Sequence, residues 1–322
     1  MIEDKKISFS LLSAIHSGEE YLKKYLSEEG IEGDALDFGR MLHHYFLQKD
    51  TFFETYYVLP DDLVKPSSKQ QEDFANAVIE KLDGKYNTSI AEIYGSIYAS
   101  KGISDTKKEE LAKVAYMKLK GYIDLISRNR NKEQVSSFDW YRIMQYESYV
   151  KNRKGLKLIL DNSSSETVQH FNETEILFDL YGVEAKAFID KLIIDHINKK
   201  IIIVELKTHS TKFESSNLKE SFTNAILDYY YHVQIALYKQ AVLSFIQANL
   251  PQSVLLYEIE YYFVVCRKNF FFTTSLFAFK DKYLINKGED ILASWVSVYK
   301  QMKEKRAFNI EYETNRLGEE VI

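Results

Sequence analysis

A single cysteine, Cys266, stands in a chain of 322 residues. One thiol excludes an intramolecular disulfide framework, Cys-rich zinc sites and a four-cysteine iron–sulfur cluster. Proline and glycine are scarce too, at 3 and 12, which excludes collagen-like and low-complexity classes. No apolar run approaches the roughly 18 residues that a membrane-spanning helix needs. The opening MIEDKKISFS carries no apolar signal core. A soluble, cytoplasmic protein with no membrane partner is expected. The formal charge of −5 offers no global basic field for nucleic acid.

What the chain does have is aromatic mass, 24 Tyr and 20 Phe, within a hydrophobic share of 45%. That composition suits a folded chain of one large or two modest domains. The charge is uneven. Between Lys101 and Leu160 there are 14 Lys/Arg against 7 Asp/Glu. Either these are solvated helix faces or they form a local phosphate-facing surface.

The first half has helical spacing. Ser17-x-x-Glu20 reads as a capping box ahead of Leu22, Tyr25 and Leu26. A second helix is expected over 34–47. Ser68-x-x-Gln71 caps a third, with Phe74, Val78 and Leu82 on one stripe and Gly84 as its stop. Leu111, Ala115, Leu119, Tyr122 and Ile126 form a fourth stripe, and a fifth helix is expected over 138–160. No repeat of fixed period is present.

After about residue 170 the period changes to two. Strands are expected over 173–180, 183–195, 200–207, 258–267 and 271–279. A long helix over 218–247, opened by Asn217-x-x-Glu220, follows the third strand, and a closing helix covers 289–303. The second half therefore reads β-β-β-α-β-β-α.

The informative stretch is Ala187-Phe-Ile-Asp190 followed by Ile201-Ile-Ile-Val-Glu205-Leu-Lys207. Side chains alternate faces along a strand, and a short loop joins these two. Asp190 is thereby expected beside Glu205, with Lys207 on the face of Glu205. Two close carboxylates repel unless a cation neutralises them. Hard oxygen ligands suit Mg²⁺ or Mn²⁺, and such an ion polarises a phosphate and activates water. An adjacent lysine can orient that water or stabilise negative charge. Phosphodiester hydrolysis is the chemistry suggested; a solvated edge hairpin with a surface salt bridge is the alternative.

Three features weigh toward the site. Gly39 and His43 share a helical stripe with Leu36 and Phe46/Leu47; Gly39 would let another backbone approach, and His43 could complete a metal site. Gln234-x-x-x-Tyr238 puts an amide and a phenol on one helix face. Glu175, on the early strand, could add a carboxylate, with Glu173 as the competing choice.

In order and spacing these motifs resemble the PD-(D/E)xK nuclease superfamily, in particular its RecE-like and lambda-exonuclease-like branch of phage recombination nucleases. The matching elements are the Ile7-Ser-Phe-Ser-Leu-Leu helix entry, Gly39-x-x-x-His43, Glu175, Ile189-Asp190, Glu205-Leu-Lys207-Thr208, Gln234-x-x-x-Tyr238, the strand Tyr262–Cys266, and a closing helix with Trp295. The resemblance implies an α/β (α+β) fold with a restriction-endonuclease-like core: a mixed central sheet flanked by helices, with a helical N-terminal region.

Four segments follow: N-terminal helices over 1–60 contributing His43, a helical insertion of unknown role over 61–134, the nuclease core over 135–305, and a tail over 306–322. The resemblance further implies that Asp190, Glu205, His43 and the Leu206 carbonyl bind Mg²⁺ or Mn²⁺. Lys207 would be the catalytic lysine. Glu175 would position water or a second metal, and Gln234 and Tyr238 would lie near the scissile phosphate.

The implied activity is 5′→3′ digestion of linear double-stranded DNA from a free end, in recombination or repair within a bacterial or phage-infected cell. A single-strand annealing protein and a ring-shaped homo-oligomer are the implied partners. Arg128, Arg130, Arg142 and Lys186 are candidate DNA contacts; Phe188 stands where many members carry a basic residue. Three readings remain beside this one: a resolvase- or restriction-like endonuclease, a non-catalytic DNA-binding module on the same fold, and a helical interaction protein carrying a chance D…ExK.

Overall fold

The computed structural model describes residues 5–27, 34–87, 89–98 and 102–305. The expected tail over 306–322 and the Leu36 side chain lie outside them. In chain order the elements are α1 (Phe9–His16), α2 (Glu19–Leu26), α3 (Asp34–Leu47), α4 (Phe52–Thr55), β1 (Tyr56–Val58), α5 (Lys69–Leu82), α6 (Ile90–Ile97) and α7 (Asp105–Arg128). Then come β2 (Glu133–Val135), α8 (Ser137–Asn152), α9 (Lys154–Leu160), β3 (Val168–Leu180), β4 (Val183–Asp195) and β5 (Lys200–His209). The chain continues through α10 (Leu218–Asp228), α11 (Tyr231–Asn249), β6 (Glu258–Arg267), β7 (Thr274–Phe279) and α12 (Lys282–Lys305). Two compact units result, Met1–Lys49 with Met144–Ile322, and Asp50–Ile143.

The first unit is built on a mixed five-stranded sheet of order β3-β4-β5-β6-β7. β3–β4, β4–β5 and β6–β7 pair antiparallel, while β5–β6 is parallel. A parallel neighbour needs a crossover, and α10 and α11 supply it. One sheet face, with Ile176, Ile189, Ile203 and Phe263, packs against Leu237 and Val242 of α11 and Val296 of α12. Each such side chain, fully buried, contributes roughly 1.5–3 kcal/mol. Val204, Leu206 and Val264 are buried outside that cluster. α3 lies against β4 and β5, and α9 against β7. The sheet is therefore flanked by helices, as the α/β reading expects.

α11 and α12 approach closely at Gly288. A Cβ built there would lie 2.3 Å from the His232 carbonyl oxygen, so only glycine fits without displacement.

The second unit is helical, with a two-stranded parallel sheet, β1–β2, that the spacing did not announce. α5, α6 and α7 close over Phe74, Val78, Ile90, Ile93, Tyr116, Leu119 and Ile123. The buried face of α7 runs Ala112, Tyr116, Leu119, Ile123, so the expected stripe is rotated by about one residue. Ser68 does cap α5, accepting from the Gln71 N–H.

Several expected boundaries differ. Ser17 ends α1, and Gly18, with φ +102° and no side chain to cap with, precedes α2; the side-chain cap is Ser8, on α1. The helix expected over 138–160 breaks at Arg153, which has an extended backbone. The long helix breaks at Tyr230, in the left-handed region at φ +56°. β3 begins five residues earlier than expected, at Val168.

Candidate active site

β3 and β4 run in register through Asn172↔Lys191 and Thr174↔Ile189. Glu173 thereby stands opposite Asp190. Strict alternation would put Ile189 and Leu192 on opposite faces, yet both lie in the main core. In β3, Phe171 and Ile176 likewise both face that core. Both strands lose alternation at the level of the two acids. Glu173 absorbs the irregularity with φ +45°, a conformation uncommon outside glycine.

Backbone pairing of β4 with β5 extends to Lys191↔Val204. The next step in that register would join Asp190 to Glu205. There the strands fork: Asp190 Oδ2 accepts the Leu206 N–H at 2.7 Å, while β5 continues along β6 to His209↔Arg267. A carboxylate fills the fork in place of a backbone carbonyl.

α3 brings His43 to this point. Its Nε2 donates to the Leu206 carbonyl at 3.0 Å. Its Nδ1 lies 3.5 Å from both Glu173 Oε1 and Asp190 Oδ1. The ligand atoms of His43, Glu173 and Asp190 all fall within 4.8 Å of one another.

Glu205, only 2% exposed, completes the cluster. Its Oε1 accepts from Lys207 Nζ at 2.6 Å and Gln234 Nε2 at 2.8 Å. The same Gln234 nitrogen donates to Tyr238 Oη at 2.7 Å. The Lys207 ammonium also lies 4.5 Å from the Tyr231 ring centroid. Among the described residues Glu205 Oε2 and Glu173 Oε1 are buried without a hydrogen-bond partner; Glu173 Oε1 meets His43 at ion-pair distance only.

The electrostatics follow from burial and from this packing of charge. Burial and the Asp190 charge push Glu205 up to about 7, against the pull of Lys207. Burial would raise Asp190 as well, but His43, Lys207 and the Leu206 N–H outweigh it and hold it low. Burial opposes protonation of His43, yet Asp190, Glu173 and Glu205 raise it well above the usual imidazole range. Lys207 is likewise raised, its burial overcome by Glu205, Tyr231 and Asp190. The cluster thus holds protons where a cation would compensate the acids.

The donor set fits a hard divalent ion. Two carboxylates and an imidazole converge, and carboxylate oxygens stripped of water lack partners. Oxygen ligands suit Mg²⁺ and Mn²⁺, and imidazole suits a transition ion such as Mn²⁺. The Leu206 carbonyl, expected as a ligand, accepts from His43 with one lone pair and keeps a second.

Asp190, Glu205, Lys207, His43, Leu206, Gln234 and Tyr238 are therefore brought together. Gln234 and Tyr238 are 7% and 5% exposed and reach the site through Glu205. Glu175 is not brought in: it pairs with Phe188, two residues from Asp190, and is exposed. Glu173 takes that place: the register of β3 with β4 is unbroken, but the left-handed backbone at Glu173 interrupts alternation there and the side chain meets His43. Asn172, a residue type depleted in strands, was the available signal of irregularity.

Gly39 does not admit a close backbone, since a Cβ there would meet nothing within 4 Å. Spacing also missed Lys191, fully buried, whose Nζ reaches Asp161 O at 2.6 Å, Asn162 Oδ1 at 2.7 Å and Asn172 Oδ1 at 3.0 Å.

Arg128, Arg130 and Arg142 belong to the Asp50–Ile143 unit. Arg128 is exposed at the end of α7. Arg130 pairs with Asp83 at 3.1 Å, and Arg142 pairs with Asp139. Lys186 lies on β4 with Nζ 5.9 Å from the Phe188 ring. Among the described residues no helix is long and apolar enough to cross a membrane.

No protein-family model matches the chain. A mimivirus (Acanthamoeba polyphaga mimivirus) protein described as "Putative ankyrin repeat protein" is 29% identical over 110 residues, covering 34% of this chain and 84% of its own length. A crystal structure from Eubacterium rectale, described as "Putative exonuclease", is 13% identical, covers 86% of this chain and 89% of its own, and superposes with a TM-score of 0.38. That overall likeness is weak.

Proposed function

We propose that this chain is a metal-dependent deoxyribonuclease that digests linear double-stranded DNA from an end, 5′→3′, in phage-type recombination or repair. One observation carries the reading: His43, Glu173 and Asp190 converge within 4.8 Å beside a buried Glu205–Lys207 pair at 2.6 Å, where β4 and β5 part. The order of motifs supports it, since Asp190, Glu205 and Lys207 make up the PD-(D/E)xK pattern, with Glu173 standing in place of the expected Glu175.

His43, Glu173 and Asp190 would hold Mg²⁺ or Mn²⁺, with Glu205 as the further carboxylate; such an ion polarises a phosphate and makes a bound water acidic. Lys207 is held charged by its neighbours, so its part is to stabilise negative charge on the phosphate rather than to take a proton. Gln234 fixes the Glu205 carboxylate and is itself braced against Tyr238. A ring-shaped homo-oligomer and a single-strand annealing partner extend the proposal by resemblance; light scattering of the purified chain tests the first.

The test is digestion of end-labelled linear duplex, with a closed circular control, in Mg²⁺, Mn²⁺ or EDTA. Metal-dependent loss of nucleotides from 5′ ends with circles intact is expected. Nicked circles would move the protein to the endonuclease class. A folded protein that cleaves neither substrate would leave a binding module.

A further inference from the structure

Two connections at the Lys207 end of the sheet are locked together. One follows β5; the other joins β6 to β7. Thr211 donates its N–H to Asn269 Oδ1 at 3.0 Å, and Asn269 Nδ2 returns to the Thr211 carbonyl at 2.6 Å. Arg267, 7% exposed, sends Nη2 to Thr211 Oγ1 at 2.6 Å, Glu214 O at 2.9 Å and Phe213 O at 3.2 Å. These acceptors are all neutral oxygens, and Arg267 forms no salt bridge among the described residues.

Around that guanidinium three phenylalanines face solvent. Phe213, Phe270 and Phe271 are 59%, 48% and 56% exposed. The Phe270 and Phe271 ring centroids lie 5.5 Å and 6.0 Å from Arg267 Cζ. Lys212 Nζ lies 5.4 Å from the Phe213 ring. From His209 and Arg267 outward the two connections carry Lys212 and Lys268, with Arg267 beneath the rings, against one acid, Glu214; Lys207, further in, is paired with Glu205. The cluster begins two residues beyond Lys207, since His209 pairs with Arg267.

We infer that this tip is a stacking platform for unpaired bases at the end of a DNA strand. The ligand's chemistry follows from the two halves of the surface. Flat rings offer faces to bases, whichever base is present, and the surrounding cations match phosphates. A second copy of this chain fits less well, because a surface with three cations and one acid would meet the same positive excess across an interface with itself. The inference rests on the nuclease reading only in taking DNA as the ligand. Stacking frayed bases here would hold an opened strand beside Lys207.

The experiment uses the full chain in EDTA, with duplexes that end blunt or carry a four-nucleotide tail containing 2-aminopurine. Tailed DNA is expected to bind about tenfold tighter than blunt DNA, with the fluorescence quenched by stacking. Phe270→Ala and Phe271→Ala should each weaken tailed binding about tenfold and leave blunt binding within about twofold. Phe271→Trp keeps a stacking face and should retain affinity. Equal affinity for both ends, or Ala variants that bind the tail like wild type, would overturn the inference. So would self-association that the Ala variants abolish with tail binding unchanged, which would make a second copy the occupant. The nuclease assay separates the two proposals. Ring-dependent tail binding without cleavage removes the nuclease reading alone; Asp190-dependent cleavage with ring-independent binding removes the platform alone.

Discussion

The Asp190 carboxylate takes the Leu206 N–H at 2.7 Å, one step beyond the last β4–β5 backbone pair, Lys191↔Val204. A side chain that stands in for the ladder serves two ends: it closes the fork and leaves Oδ1 toward His43. Asp190→Asn can still accept the Leu206 N–H but loses the charge. Cleavage of linear duplex should fall at least ~10²–10³-fold, while the circular dichroism spectrum and cooperative melt remain. Wild-type cleavage by this variant would remove Asp190 from the site.

Glu173 and Glu175 separate geometry from pattern. Glu173 lies 3.5 Å from His43 Nδ1; Glu175 is exposed beside Phe188. Glu173→Gln should weaken Mn²⁺ binding in calorimetry and lower cleavage by ~10²-fold. Glu175→Gln should stay within about threefold, as an exposed charge in high dielectric contributes little. The reverse order would reinstate the regular strand that spacing alone suggests.

Much of this was legible from sequence, for a definable reason. β4 and β6 match their expected spans because residues 183–195 and 258–267 are rich in apolar side chains and contain neither glycine nor proline. A strand buried on both faces needs no strict alternation to be read as one. The Asp190–Glu205–Lys207 grouping needed only a short hairpin. What stayed hidden is where alternation fails. Beyond the strand-poor Asn172, nothing in Asn172-Glu173-Thr174 specifies a left-handed backbone at Glu173. The break at Tyr230 is hidden likewise: a helix restart through a non-glycine residue leaves no composition signal.

Metal and protons should compete at this site. Glu205 is raised to about 7 and His43 is raised well above its usual value. Each holds a proton in the folded chain that the unfolded chain has released at the same pH. Their contribution to metal-free stability is therefore full at low pH and lost as pH rises through the folded values. A bound cation replaces those protons. The rise in melting temperature caused by Mn²⁺ should accordingly grow between about pH 6 and 8, around the Glu205 value, and Glu205→Gln should flatten it. A Mn²⁺ effect independent of pH would contradict the assignment.

Lys191 offers a stability test with the opposite slope. Burial pushes its ammonium down to about 8, while in the unfolded chain it titrates near 10.4. Between those values the unfolded state binds more protons, so this group adds stability as pH rises. Lys191→Met removes the donor and leaves the Asp161, Asn162 and Asn172 oxygens without it. It should cost about 1–3 kcal/mol at pH 7. The deficit should widen toward pH 10, where wild type gains and the variant does not. Denaturant melts of both proteins at pH 7 and 10 check it; a deficit that narrows would mean that the ammonium is not buried in solution.

Gly288 tests the packing that carries α11, and with it Gln234 and Tyr238, to the sheet. A methyl group at Gly288 would fall 2.3 Å from the His232 carbonyl oxygen and 2.8 Å from its carbon, and backbone atoms cannot turn aside as a side-chain tip can. In an exposed helix interior Gly→Ala is worth up to about 1 kcal/mol of stability. Here the overlap forces α11 and α12 apart, at typically 1–3 kcal/mol, so the net sign is destabilising. Gly39→Ala is the control, being helical with nothing within 4 Å of the added carbon; it should be neutral or stabilising. Urea denaturation of the two variants decides between close packing and mere helix propensity. If Gly288→Ala were as stable as Gly39→Ala, the α11–α12 contact would be looser than described. The bracing of Glu205 through Gln234 would then lack its support.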